Sequence, residues 1–256
     1  MAESESTAPS ELRHNETPVS KVGVTGDSQE YVILGKKKYH KHDLMKAFGG
    51  TLTPGVAPYP VRQFGNPAPL GLSAFALTTF VLSLYNAQAM GIKVPNVVVS
   101  TATFYGGAVQ FLAGIWELLL GNTFGATALT SYGAFWLSYA SVFIKNFGIS
   151  EAYKDKTMMN NAIGLYLVGW AIFTFMLTLV TAKSTVAFFS LFFSLMVTFI
   201  LLAAGEFTGK VGVTRAGGVI GVICAFTAWY NAYAGVANRF NTYVTVRAVP
   251  LPVFEK

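Results

Sequence analysis

Six long stretches of the sequence contain no charged side chain, and they constrain the fold more than any other feature. They span 66–92, 94–116, 118–144, 157–182, 184–205 and 216–238. A helix rises about 1.5 Å per residue and the hydrocarbon core of a bilayer is about 30 Å thick, so roughly 20 residues cross it. Every stretch reaches that length. The pattern therefore predicts an all-α membrane protein with six transmembrane helices.

The composition agrees with a membrane protein and excludes several other classes. Apolar residues make up 53% of the chain and charged residues only 12%, whereas about 25% of an ordinary soluble domain is charged. These values exclude a water-soluble globular enzyme, a disordered protein and a nucleic-acid-binding module, although the pI is near 9.3. A β-barrel would need alternating polarity in segments of about ten residues, and the sequence lacks that pattern. We place the helices at about 70–90, 95–118, 124–145, 160–182, 185–205 and 214–237.

Residues 1–65 differ in composition and are predicted to form an N-terminal tail. Residues 1–30 are rich in Ser, Thr and Glu and predict a disordered segment without a signal peptide. Residues 31–50 interleave five lysines with apolar side chains. Such a segment suits the anionic inner face of a membrane, at about 1 kcal/mol per Lys or Arg, but it also fits a solvated run that packs on its own protein. The prolines of 51–60 indicate a linker.

The charges outside the six stretches predict the orientation in the membrane. An even number of spans places both termini on one side. That side, counting the tail, holds twelve Lys and Arg residues against six on the opposite side. Because positively charged loops stay in the cytoplasm, both termini are expected there. Residues 239–256 then form a short cytoplasmic C-terminal tail.

The predicted helices lack the groups that catalysis within a membrane usually requires. The three histidines, His14, His40 and His42, all lie in the tail, and a single cysteine, Cys224, excludes an intrachain disulfide and a Cys-based zinc site. No cofactor motif, Ser-His-Asp arrangement or cluster of metal ligands occurs in the helices. We therefore expect neither an enzyme nor a bound cofactor or metal.

The polar content of the predicted helices is small and mostly uncharged. Glu117 and Glu206 are the only acids near the bilayer, each at a predicted helix end. A carboxylate at that depth either has a function or reaches the headgroups. Glycines are frequent, and Gly217 and Gly221 have the GxxxG spacing that lets helix backbones approach closely. This pattern predicts a tight bundle.

The first predicted helix opens with the string Asn66-Pro67-Ala68-Pro69-Leu70-Gly71-Leu72. Asn66 can cap a helix whose first turn begins at Pro67, which has no amide hydrogen to leave unpaired. The remaining free N–H groups and the positive end of the helix dipole then attract anions. Taken alone, the same string also fits an ordinary helix start.

This string, followed by Phe75 and Thr78-Thr79, resembles the signature of the acetate uptake transporter family. That family includes bacterial succinate–acetate permeases and fungal ammonia- and acetate-export proteins. The resemblance covers nearly the whole of 66–238. Further matching segments are FYGG at 104–107, GNTFG at 121–125, SYGAFWL at 131–137, YLVGW at 166–170 and FFSL at 192–195, while 48–52, 212–218 and 229–235 resemble the yeast-type branch.

The resemblance implies a six-helix protomer, assembled as a hexamer, with a path for short monocarboxylates through each protomer. Family members narrow that path with a Phe, a Tyr and a Leu, which by motif correspond to Phe75, Tyr132 and Leu195. At Tyr85-Asn86 this sequence departs from bacterial relatives, which tend to have His-Asn. The substrate path is expected to include Asn66, Leu70, Thr78, Gln110, Glu117, Asn122, Thr123 and Thr130.

The function expected from the residues and the resemblance together is transport across the plasma membrane. The substrate would be acetate or a similar small carboxylate, moved by a proton-linked transporter or a channel. The other expected partners are membrane lipid and further copies of the chain. No nucleic acid is expected. A non-transporting sensor or scaffold that signals through the tail is the rival hypothesis. An ammonium exporter is the third, and the absence of histidine from the predicted helices argues against it.

Overall fold

The computed structural model describes residues 22–26, 29–48, 64–246 and 248–252. The described residues divide into two units, one within Met1–Phe64 and one within Gly65–Lys256. The boundary falls just before the first predicted transmembrane helix. The N-terminal unit contains a small sheet and one helix, and the second unit contains a bundle of long helices.

Three short strands form an antiparallel sheet in the N-terminal unit. They are β1 Val22–Thr25, β2 Tyr31–Leu34 and β3 Lys37–His40, in that spatial order, and helix α1 Lys41–Phe48 follows directly. The turn between β2 and β3 includes Gly35, whose φ of 63° lies in the left-handed region that glycine adopts readily.

This sheet corrects two expectations from the sequence. The chain is not all-α, and the prediction of disorder through residue 30 is wrong over Val22–Thr25, which pairs with β2. Aromatic and β-branched residues from Tyr31 onward favour a strand, and Lys38 places its Nζ 3.8 Å from the Tyr31 ring centroid. A lysine therefore packs on its own protein, which is one of the two interpretations that the sequence left open for this segment. Residues 1–21 and the predicted linker at 51–60 lie outside the described residues.

The second unit contains a helix at each of the six predicted positions. Every helix end lies within four residues of its expected place. The second of these helices, Val98–Leu119, includes a π-helical turn at Phe104–Val109. The helices are α2 Ala68–Asn86, α3 Val98–Leu119, α4 Thr123–Phe143, α5 Lys156–Val180, α6 Val186–Thr208 and α7 Val211–Val236.

Five of these helices are long and apolar enough to cross a membrane, namely α2, α3, α5 with its short extension to Lys183, α6 and α7. Helix α4 has 21 residues, but three Thr, three Ser and two Tyr lower its mean hydropathy. Five of the six expected spans are therefore found by length and composition, and the sixth, α4, stays a prediction. Five apolar helices of this length identify a multi-pass membrane protein.

Small residues allow α7 to pack closely on its two neighbours. A Cβ atom on Gly218 would collide with the backbone of α2 at Ser83 and Ala87. The predicted GxxxG pair faces two different helices, because Gly217 contacts Leu202 of α6 whereas Gly221 contacts Ser83 of α2. The prediction of tight packing is confirmed, and these glycines hold α2, α6 and α7 together.

Helices α4 and α5 meet through large side chains. The Tyr132 hydroxyl lies 2.9 Å from Thr174 Oγ1, and the Ser138 and Tyr166 hydroxyls lie 2.6 Å apart. Phe135 stacks on Tyr166 with ring centroids 5.9 Å apart. Rings and hydroxyl pairs therefore form this side of the bundle, in contrast to the small residues between α2 and α7.

Candidate functional site

Two partly enclosed cavities lie inside the helical unit, one toward each end. The proximal cavity, of about 90 Å³, lies at the end where α2, α4 and α6 begin, and its lining includes Ala68, Asn122 and Phe188. The distal cavity, of about 50 Å³, lies at the opposite end, and its lining includes Asn86 and Glu206. Each has room for a few water molecules, so each can also hold a small organic acid.

The three residues predicted to form a gate lie at the junction of these cavities. Phe75 and Leu195 line both cavities, and Tyr132 lines the proximal one. The rings of Phe75 and Tyr132 have centroids 5.8 Å apart, and all three side chains are buried. The structure therefore brings side chains of α2, α4 and α6 together as the sequence motifs predicted, and their role as a gate stays a prediction.

Neighbouring aromatic side chains fix the position of Tyr132. Its ring packs edge-on against Phe173 at 5.6 Å and lies 6.0 Å from Trp170, both on α5. Phe192 of α6 lies 6.4 Å away on another side. Together with Phe75 at 5.8 Å and the hydroxyl bond to Thr174, the ring is held by four ring contacts and one hydrogen bond.

Asn66 caps helix α2 as predicted. Its Oδ1 accepts a hydrogen bond of 3.0 Å from the amide of Ala68. Pro67 between them already has helical dihedral angles, with φ −82° and ψ −14°. Asn66 is exposed, and Ala68 lines the proximal cavity. The positive dipole end of α2 therefore borders this cavity. The free N–H groups expected there are not found at residues 67–69, because Pro67 and Pro69 have no amide hydrogen and the Ala68 amide is bonded to Asn66.

Glu117 and Asn122 form a hydrogen-bonded pair where α3 passes into α4. Asn122 donates from Nδ2 to Glu117 Oε2 at 2.7 Å, and its Oδ1 accepts from the amide of Gly125 at 3.0 Å. Glu117 is only 2% exposed, and its Oε1 has no hydrogen-bond partner among the described residues. Asn122 lines the proximal cavity, so a buried carboxyl group lies directly behind that wall.

Gln110 places an unpaired amide group in the proximal cavity. The side chain is fully buried, and neither Nε2 nor Oε1 has a hydrogen-bond partner in the part of the chain that is described. Buried polar groups are normally paired, and leaving one unpaired costs about 1–3 kcal/mol. An amide in this state is available to a ligand or to water in the cavity.

Four other residues expected on the path line neither cavity. Leu70 is 50% exposed on the outer surface, and Thr123 is exposed at the start of α4. Thr78 bonds through Oγ1 to the Ala74 carbonyl at 2.9 Å and packs where Gly106 has no side chain. Thr130 bonds to the Ala126 carbonyl at 2.5 Å and packs against Gly114 in the same manner.

The distal cavity contains polar groups to which the sequence analysis assigned no role. Thr79 Oγ1 and Trp136 Nε1 are both buried without a partner in the described residues, and both residues line this cavity. Ser83, Thr198 and Glu206 are also in the lining. The position of Trp136 within the SYGAFWL string could have indicated it, because the neighbouring Tyr132 was singled out from the same string.

The chemistry of the two cavity linings fits the binding of a small acid better than catalysis. The amide of Gln110, the indole N–H of Trp136 and the hydroxyl of Thr79 are hydrogen-bond donors in poorly solvated surroundings, where each bond to a carboxyl oxygen is strengthened. Aromatic and aliphatic side chains form most of the remaining walls. Such a lining can hold a molecule with one polar end and one apolar end.

Two cavities that meet at an apolar junction within a bundle of membrane-crossing helices are typical of a membrane transporter or channel. The chain belongs to the GPR1/FUN34/yaaH family, which it matches over residues 48–253. Among its relatives are transporters and channels for acetate, and the family is not one of enzymes.

Two relatives and one solved structure show how extensive the similarity is. Ammonia transport outward protein 2 of Saccharomyces cerevisiae is 59% identical over 245 residues, which cover 95% of this chain and 87% of that protein. Acetate permease A of Emericella nidulans is 47% identical over 224 residues, covering 83% and 75%. The structure of the bacterial acetate channel SatP superposes with a TM-score of 0.62 at 37% identity and covers 68% of this chain and 93% of that one.

Proposed function

We propose that this protein is a plasma-membrane transporter or channel for acetate and other short monocarboxylates. The observation that carries the proposal is the meeting of Phe75, Tyr132 and Leu195 between the two cavities. The names of acetate permease A and of the SatP acetate channel make acetate the first substrate to test.

The three side chains act as a hydrophobic gate in each protomer. Water leaves a narrow apolar constriction, so hydrated ions do not cross it, whereas a small acid can shed its hydration shell there. Gln110 receives the acid on the proximal side, and Thr79 with Trp136 receives it on the distal side, because these unpaired polar groups lie in the two cavities. The positive dipole end of α2, beside Asn66, attracts the anion to the proximal cavity.

Transport is linked to protons. A bare carboxylate is costly to move past an apolar gate, and protonation removes most of that cost. Glu117 is the group we assign to proton exchange on the proximal side, because its carboxyl is buried behind the cavity wall and one oxygen has no partner among the described residues.

The architecture we propose has six spans, with α4 as the sixth, within the transport domain 66–238. Helix α4 contributes Tyr132 to the lining of the proximal cavity and Trp136 to that of the distal cavity, as a helix that crosses the membrane beside both would. Both termini lie in the cytoplasm, with tails 1–65 and 239–256 and the lysine-rich segment facing anionic lipid. The protomers form a hexamer, and exposed side chains such as Leu70 and Leu112 supply apolar surface for it.

A sensor or scaffold, and an ammonium exporter, are the alternatives. A sensor needs no continuous path, so an apolar gate between two cavities would have no use in it. Ammonia appears in the name of a relative, so export of ammonium requires a separate flux assay.

Uptake of labelled acetate by proteoliposomes that contain the purified protein tests the proposal. Flux above that of empty vesicles, larger when the outside is acidic, is expected. Ala128 lines the proximal cavity and is 4% exposed, so Ala128→Leu should narrow the path and abolish most flux. Ala140, on the same helix and 1% exposed, is outside both linings, so Ala140→Leu is the control for overpacking. Flux equal to empty vesicles in the wild type would support the sensor.

A further inference from the structure

The distal cavity contains an acidic side chain that the gate does not use. Glu206, near the end of α6, is half-buried and lines this cavity together with Asn86 and Thr214. Of the described residues that line the two cavities, Glu206 is the one with a formal charge. An anion that enters at this end therefore approaches a like charge before it reaches the gate.

The surroundings of Glu206 leave its charge largely uncompensated. No hydrogen bond or ion pair holds its carboxylate within the described part of the chain, and the ammonium of Lys156 on α5 is the cation that acts on it electrostatically. Helix α2 contributes neutral groups, and α4 contributes Tyr139, whose hydroxyl is the other titratable group there. On α7, Arg215 is occupied by a hydrogen bond to Gln88 Oε1.

We propose that Glu206 is the charge-selecting residue of the distal cavity. While ionised it repels carboxylates, and it repels a dianion about twice as strongly as a monoanion because Coulomb energy scales with charge. When it takes up a proton, the repulsion disappears and the carboxyl group can donate a hydrogen bond to the substrate. The residue thus favours monocarboxylates over dicarboxylates and favours uptake from acidic solution.

This inference rests on the proposed function, since it places Glu206 on the transport path. It also adds a criterion that the gate does not supply. Phe75, Tyr132 and Leu195 select by size, whereas Glu206 selects by charge. Lactate and succinate separate the two, because lactate is a larger monoanion and succinate is a dianion at neutral pH.

The experiment is inhibition of labelled-acetate uptake by succinate, measured at neutral external pH in cells that express the full-length protein. In Glu206→Gln the concentration of succinate that halves uptake should fall by roughly tenfold, as expected for removal of one repulsive charge within a few ångströms. The concentration of lactate that halves uptake should fall only about threefold, because a monoanion loses half as much repulsion. Glu206→Asp retains the charge and should behave as the wild type, and so should Glu151→Gln, which removes an exposed acid from a loop at the same end.

Unchanged succinate inhibition in Glu206→Gln, with acetate uptake intact, would overturn the inference and leave the proposed function standing. Absence of acetate uptake in the wild type would instead contradict the proposed function. In that case the shift in melting temperature that succinate causes in the purified protein tests Glu206 without transport. A ligand raises the free energy of unfolding more when it binds more tightly. Equal stabilisation of the wild type and Glu206→Gln by succinate would then reject the charge-selecting role.

Discussion

The Tyr132 hydroxyl and Thr174 Oγ1 lie 2.9 Å apart, and this hydrogen bond connects α4 to α5 beside the proposed gate. Thr174 also donates to the carbonyl of Trp170 at 2.7 Å, so Tyr132 is the donor of the shared bond. The aromatic ring that we propose narrows the path is thus held by neighbouring rings and at its hydroxyl.

Removing this bond should cost little stability. Hydrogen bonds between membrane helices contribute about 0.6 kcal/mol on average, and Thr174 keeps its bond to Trp170 in Tyr132→Phe. We expect a small decrease in thermal stability and retained acetate uptake. Thr174→Val removes the same bond from the other side, so the double variant should be more stable than the sum of the single variants predicts. Independent, additive effects would show that the bond does not couple the helices.

Trimming the proposed gate should change selectivity by size. Leu195→Ala removes three side-chain carbons where both cavities meet, so lactate should compete better with labelled acetate than it does in the wild type. Such a truncation costs about 2–5 kcal/mol. Leu177→Ala is the matched control, because Leu177 is buried and lines neither cavity. An identical lactate profile in wild type and Leu195→Ala would exclude the gate.

Loss of the α2 cap should weaken substrate affinity more than folding. Asn66→Ala removes an N-cap worth about 0.5–2 kcal/mol, which is too little to unfold a bundle of packed helices. The apparent KM for acetate should rise. Asp155→Ala is the control, since Asp155 caps α5 by accepting from the Thr157 amide at 3.0 Å and lines neither cavity. A similar KM in the two variants and the wild type would leave Asn66 with a purely structural role.

The assignment of proton exchange to Glu117 predicts an altered pH profile. Acetate uptake by the wild type should rise as the external pH falls, and Glu117→Gln should reduce that rise while keeping the side-chain volume. In Glu117→Gln the amide oxygen can still accept from Asn122, so the turn between α3 and α4 is preserved. The profile of uptake against pH is the measurement. A pH profile of Glu117→Gln that matches the wild type would exclude Glu117 as the proton-exchanging group. Uptake independent of pH in the wild type would exclude proton linkage.

The contact of α7 with α2 predicts a strong effect of one methyl group. Gly218→Ala places a Cβ against the backbone at Ser83 and Ala87, which cannot move aside as a side chain can. Folded yield and melting temperature should both fall markedly. A Cβ on Gly212 of the same helix meets nothing within 4 Å, so Gly212→Ala should be neutral or slightly stabilising. Equal stability of the two variants would contradict close packing at Gly218.

The helices could be predicted from the sequence because each charged side chain is costly in the hydrocarbon core of a bilayer, so long runs without charge mark the helices that cross it. The small sheet could not, since its strands are only four residues long and β3 Lys37–His40 has two adjacent lysines in place of alternating polar and apolar residues. The matching pair Thr78-Thr79 led to the expectation that Thr78 lies on the path, yet Thr79 lines the distal cavity. Adjacent positions on a helix point about 100° apart, so which of the two faces the cavity depends on the rotation of α2 in the bundle. Thr78 instead packs against Gly106 in the π-helical turn of α3, and no pattern in the sequence indicated that turn.

The two kinds of helix contact give the bundle unequal stiffness. Where Gly218 and Gly221 lie against α2, backbone meets backbone, and any separation opens a void that nothing nearby can fill. Where α4 meets α5, rings and hydroxyls such as Phe135, Tyr166 and Ser138 can rotate and exchange partners as the helices separate. We therefore expect the helices to separate more easily on the α4–α5 side than at the contact of α7 with α2, and Tyr132 is attached to that side through Thr174.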